Sequence, residues 1–161
     1  MIGSLMFDED SSIVALGLFL TAFAMLESCS HQIFQLFPQD ALTKHGSKIH
    51  SFQNRVRFAQ ALLKSSTFES ATRMIELLET TIDLAKFRNK IVHNPSFVDV
   101  YQNEETGKFS FSSATWRDAK KHWMEGGDLG ITAKQIEEET DKAQEVWEEL
   151  QGLIFKAWPG P

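Results

Sequence analysis

Residues 69–95 read ESATRMIELLETTIDLAKFRNKIVHNP, and this stretch decides the fold. Apolar side chains recur at Ala71, Ile75, Leu78, Ile82 and Ala85, and the same rhythm continues onto Asn89 and Val92. The steps alternate between four and three residues, the repeat of one face of an α-helix. A second line reads Met74, Leu77, Leu84, Phe87 and Ile91. The predicted helix runs from about Glu69 to Asn94 and ends at Pro95, because the residue before a proline is pushed out of helical geometry. A helix with two apolar faces needs two packing partners. The reading assigns one face to the rest of a bundle and the other to a second subunit.

The flanking segments follow the same logic. Ser11 or Ser12 caps a first helix that runs to about Phe37, where Pro38 stops it. Ile13 to Leu26 is apolar nearly all round, which places this helix at the centre of a bundle or against a second subunit. As an uninterrupted apolar run it is shorter than the roughly 20 residues a bilayer requires, so a core helix is expected and no membrane contact. A loop is predicted over 38–47. A second stripe, Ile49, Phe52, Val56, Ala59 and Leu63, marks another helix, with Arg55, Arg57 and Lys64 off its apolar line. Phe97 to Tyr101 and Lys108 to Ser112 flank a polar turn ending in Gly107, which predicts a β-hairpin. Residues 115–125 read as a short helix with Trp116, Ala119 and Trp123 on one side, followed by a loop at Gly126, Gly127 and Gly130. The last helix opens at Thr132 with Gln135 behind it, a capping-box pattern, and carries the stripe Ile136, Thr140, Ala143, Trp147, Leu150 and Ile154. The fold expected is all-α: a four- to five-helix up-and-down bundle in a single domain over 1–161, with a small β-hairpin insertion near 97–112.

Composition agrees. The chain of 161 residues is 42% hydrophobic and 24% charged, which suits one globular domain with a real core and excludes disorder as the default. A single cysteine, Cys29, leaves no intrachain disulfide, and the opening residues end acidic where a secretion signal opens basic. A cytoplasmic location is expected. The net charge of −6 argues against a protein that coats nucleic acid, but its distribution is uneven. Residues 1–43 carry −5, residues 44–93 carry +5 and residues 94–161 carry −6. The central segment therefore attracts an anion locally.

The basic segment ends in Phe87-Arg88-Asn89-Lys90-Ile91-Val92-His93-Asn94-Pro95, an Arg-Asn pair followed by three residues and a histidine. Asn89 and His93 lie one helical turn apart on one face. Arg88 is rotated from His93 by about 140°, a gap its long side chain can reach around. Asn89 occupies a place on the apolar stripe where a core residue belongs, so it needs a partner, and His93 is the natural one. Histidine titrates near neutrality, as acid–base chemistry requires.

This Arg-Asn-x-x-x-His element, near the end of a long helix in an all-α pattern, resembles the HEPN superfamily. The resemblance covers the helical plan of most of the chain, while its specific part is the six residues from Arg88 to His93. It implies a homodimeric, metal-independent RNA endonuclease of the toxin or antiphage-defence kind, with two motifs meeting in a cleft. In that case His93 is the general acid or base for attack of a ribose 2′-hydroxyl on its own phosphate. Arg88 stabilises the phosphate, Asn89 orients the histidine or the phosphate, and Lys86, Lys90 and Asn94 contribute to substrate binding. The implied product is a 2′,3′-cyclic phosphate, and the implied partners are a second copy, RNA, and an antitoxin or regulatory protein. A looser resemblance to mannitol-operon-repressor-like proteins implies instead a non-catalytic regulatory or interaction module. A nucleotide- or anion-binding domain on the same fold would use Arg88, Asn89 and Lys90 without cleavage. Against all three stands the plain helix end, where Arg and His suit the last turn.

Other residues point to less. Glu27 interrupts a very apolar helix, pairing with a base such as Arg88, sitting at an interface, or standing in solvent where the helix turns polar. Cys29 with His31, and His45 with His50, lack the spacing of a metal site, so no metal and no cofactor are expected. Trp147 sits on the apolar stripe and reads as core. Gly126-Gly127 lacks the pattern of a phosphate-binding loop.

Overall fold

The computed structural model describes residues 9–93, 96–97, 100–103, 106–111, 115–117 and 130–158. Five α-helices dominate them: α1 (Glu9–Gln32), α2 (Ala41–Ser47), α3 (Phe52–Lys64), α4 (Ala71–His93) and α5 (Ala133–Ala157). Between α4 and α5 lie five short strands: β1 (Ser96–Phe97), β2 (Val100–Gln102), β3 (Phe109–Phe111), β4 (Thr115–Trp116) and β5 (Ile131–Thr132). The protein is an all-α bundle with a small β insertion.

α1 is the central helix. It packs chiefly along α5 and also against α3 and α4. Ala15, Phe19, Phe23, Leu26 and Cys29 are buried on its inner side, while Ile13, Val14 and Leu18 stay more than half exposed. The stretch Ile13–Leu36 is, by length and composition, apolar enough to cross a membrane, with a mean hydropathy of 1.8. In this fold the same stretch supplies Phe19, Leu26, Ile33 and Phe34 to the core. A 3₁₀ turn (Ile33–Leu36) tightens its end before Pro38.

The loop expected over 38–47 contains α2 instead. Asp40 caps it by accepting a hydrogen bond from the Thr43 N–H at 2.8 Å, and that bond holds the Asp40 carboxyl below its ordinary range. Gly46 lets α2 approach closely: a Cβ there would meet the Phe58 and Phe34 rings at 2.5–2.6 Å. Ser51 caps α3, whose Val56, Ala59 and Leu63 enter the core as their stripe predicts.

α4 carries both apolar lines into one wide buried arc. Met74, Leu78, Ile82 and Ala85 are buried, and so are Leu77, Leu84 and Ile91. Its neighbours are α3, α5 and α1 of the same chain, so the second face is covered within the chain rather than left for another subunit. The cover ends in the last turns, where Asn89 is exposed and Val92 is 51% exposed.

The predicted hairpin forms, with Val100 opposite Phe111 and Gln102 opposite Phe109, but Phe97, expected in its first strand, pairs with Thr115 in another sheet. Gly107 closes it at φ +65°, a conformation that suits glycine. β4 lies between β1 and β5 in a second, three-stranded antiparallel sheet. Thr115 and Trp116 are therefore strand residues, not the start of a helix, and both are buried. The rest of the helix expected over 115–125 falls on Arg117, in no helix or strand, and on residues outside those described. The capping box at α5 is present: Gln135 N–H donates to Thr132 Oγ1 at 3.2 Å and Thr132 N–H to Gln135 Oε1 at 2.9 Å. Behind it Ile136, Thr140, Ala143, Leu150 and Ile154 are buried, with Trp147 partly buried against them.

Candidate functional site

The end of α4 presents the motif. Arg88 is half-buried and Asn89, Lys90 and His93 are exposed, while Asn94 lies outside the described residues. Arg88 turns toward α1: its guanidinium sits over the Phe23 ring, 5.4 Å from the centroid. From there Nη1 donates to Asn89 Oδ1 at 2.9 Å. Asn89 thus finds a partner, and it is Arg88 rather than His93. The reason is that the α4 stripe has left the core by this turn, so solvent and the guanidinium are what the amide meets.

Arg88 and Asn89 open onto a cleft of about 300 Å³ between three helices. Phe23 and Glu27 of α1, the 50–53 start of α3, and Ala85 of α4 complete its lining. Lys86, Lys90 and His93 are not part of that lining. Lys86 pairs instead with Asp83 at 2.8 Å on the exposed surface and holds the Asp83 carboxyl below its ordinary range. The fold therefore brings Arg88 and Asn89 together at the cleft and leaves His93 exposed, outside its lining.

A buried arginine braces the cleft. Arg55, on α3, is only 4% exposed. Its Nε donates to Ser30 Oγ at 2.9 Å and its Nη1 to the Ile49 and His50 carbonyls at 2.8 and 3.4 Å. Its guanidinium also lies over Phe52, 5.6 Å from the centroid, and Phe52 meets Phe23 edge-on at 5.2 Å. Two arginines and two phenylalanines thus tie α1, α3 and α4 together around the cleft. Burial lowers the proton affinity of Arg55, and the Glu27 carboxylate opposes that through space.

Electrostatically the cleft is mixed. The first turn of α3 carries no acid, and its free N–H groups face an anion favourably. The motif itself sits at the negative end of α4, where Arg88, Lys90 and His93 offset the helix dipole. Glu27 is half-buried, lines the cleft with Arg88 and, within 4.0 Å among the described residues, makes no ion pair. Cys29 is buried, its thiol donates to Gln151 Oε1 at 3.5 Å, and burial pushes it up to about 11, so it is a packing residue and not a nucleophile. Among the described residues no three His, Cys, Asp or Glu side chains gather as metal ligands.

Sequence reasoning missed His50, Gln53 and the paired rings of Phe23 and Phe52. The available signal was Ser51 as a helix cap, which places His50 just outside the start of α3. Comparison with family models, curated proteins and solved structures returns no match.

Proposed function

We propose that the protein is a homodimeric, metal-independent RNA endonuclease that uses Arg88 and His93. The observation that carries this reading is the half-buried Arg88 guanidinium, fixed by Phe23 and Asn89 and open to a cleft. A fixed planar cation at a cleft is suited to hold a phosphate and to stabilise the extra charge of its pentacoordinate transition state. His93 takes the proton from a ribose 2′-hydroxyl as its oxygen attacks the adjacent phosphorus. The bond to the 5′-oxygen breaks, that oxygen takes a proton from water, and the products are a 2′,3′-cyclic phosphate and a 5′-hydroxyl. Asn89 positions Arg88, and Lys86, Lys90 and Asn94 add contacts to the strand. Within one chain His93 does not line the cleft that Arg88 opens onto, so the reading takes the histidine from a second copy.

The absence of His93 from the cleft lining favours a second reading, a nucleotide- or anion-binding module, regulatory and without cleavage, that uses Arg88 and Asn89 alone. One assay separates them. The purified protein is incubated with single-stranded RNA and tRNA in the presence of a chelator, and the product ends are analysed. The first reading predicts 2′,3′-cyclic phosphate ends and loss of cleavage on Arg88→Ala. Intact RNA after incubation with folded, dimeric protein supports the binding module.

A further inference from the structure

The cleft beside Arg88 contains something a plain phosphate site would exclude. Glu27 lines it together with Arg88, and a carboxylate repels a phosphate at short range. A ligand that satisfies both side chains must carry an anionic group and hydrogen-bond donors. Its walls add two amides, Asn89 and Gln53, and two aromatic rings, Phe23 and Phe52. The volume of about 300 Å³ lies at the small end of ligand sites and suits one nucleotide rather than a duplex. The brace through Arg55 fixes the corner at Ile49 and His50 against α1, so the cleft is formed before any ligand arrives.

We infer that this cleft is a guanine-nucleotide subsite in which Arg88 holds the phosphate and Glu27 reads the base. Guanine is the RNA base whose Watson–Crick edge presents two adjacent donors, N1–H and the N2 amino group. They match the two oxygens of one carboxylate. Adenine places a ring acceptor at N1, which the carboxylate repels, and cytosine and uracil each offer a single donor beside acceptors. Gln53 and Asn89, which carry both donors and acceptors, can serve the remaining polar atoms of the nucleotide. The inference rests on the proposed role of Arg88 as a phosphate ligand, and it applies to a nucleotide within single-stranded RNA.

Calorimetric titration of the full chain with guanosine 3′-monophosphate, adenosine 3′-monophosphate and inorganic phosphate tests it without any cleavage step. The guanine nucleotide is expected to bind at least about tenfold more tightly than the adenine nucleotide, the scale of one good bidentate contact. Glu27→Gln is expected to reduce that preference to within about threefold while phosphate binding persists, and Arg88→Gln to weaken all three ligands. Equal binding of the two nucleotides, no binding of either, or a preference that survives Glu27→Gln overturns the inference. The wild-type ratio decides by itself if Glu27→Gln does not fold. A trinucleotide with guanine at its centre binding more tightly than the free nucleotide supports a strand as the ligand; weaker binding overturns that part. Nucleotide binding without RNA cleavage sinks the nuclease and leaves the subsite standing. RNA cleavage without base preference does the reverse.

Discussion

Arg55 illustrates how one side chain organises a site it does not line. Its guanidinium replaces water with Ser30, two carbonyls and a ring, and so fastens the start of α3 to α1. Hydrogen bonds to a charged donor are worth roughly 1.5–3 kcal/mol, and deleting the donor also leaves the buried Ser30 hydroxyl and two part-buried carbonyls without it. Arg55→Met is therefore expected to cost about 3 kcal/mol, read from the denaturant midpoint. Arg55→Lys should recover less than half, since one ammonium cannot reach Ser30 and Ile49 together. Full stability in Arg55→Met would show that the brace is dispensable. At this scale the sequence was partly legible. Arg88 stood out because arginine, asparagine and histidine at fixed spacing are rare on one helix end. Arg55 did not, because an arginine off an apolar stripe ordinarily faces water, and only the tertiary approach of Ser30 buries it. Asn89 was misjudged for a related reason: periodicity tells which residues share a face, not where the neighbour covering that face stops.

Elements were legible in proportion to their length. α4 and α5 each hold several turns of a 3.6-residue pattern, so their stripes and ends read directly from the sequence. α2 has seven residues and contains Gly46, which punctuates a pattern rather than extending it. Its only advance sign was Asp40 as a cap. The three-stranded sheet was illegible because two-residue strands show no alternation, and Thr115 finds Thr132 only through the fold. The capping box of α5 shows the opposite case, a local device wholly written in Thr132 and Gln135. Thr132→Ala removes a side-chain acceptor at the helix start and is expected to destabilise the protein by about 1 kcal/mol in equilibrium unfolding, with Thr132→Ser close to wild type. An unchanged midpoint in Thr132→Ala would mean that β5 alone sets this helix end.

For the whole molecule, the charge pattern and the bundle combine. The +5 segment over 44–93 spans α3 and α4, which with α1 enclose the cleft, while the acidic segments supply α1 and the whole of α5. A field so divided favours an anion at one place and repels it elsewhere, which suits capture of a single nucleotide better than coating of a long polyanion. The apolar side chains left exposed on α1 at Ile13, Val14 and Leu18, with Val92 on α4, offer surface that a second copy would cover. That apolar surface fits the homodimer the nuclease reading requires, and His93 is the residue on which that reading turns. The most direct measurement is the initial rate of RNA cleavage by the wild type and by His93→Ala, both shown to be folded, with chelator present. The account predicts that the variant loses at least about a hundredfold, the lower range for removing a general acid or base. Equal rates for the two proteins, or no cleavage by the wild type, would contradict it.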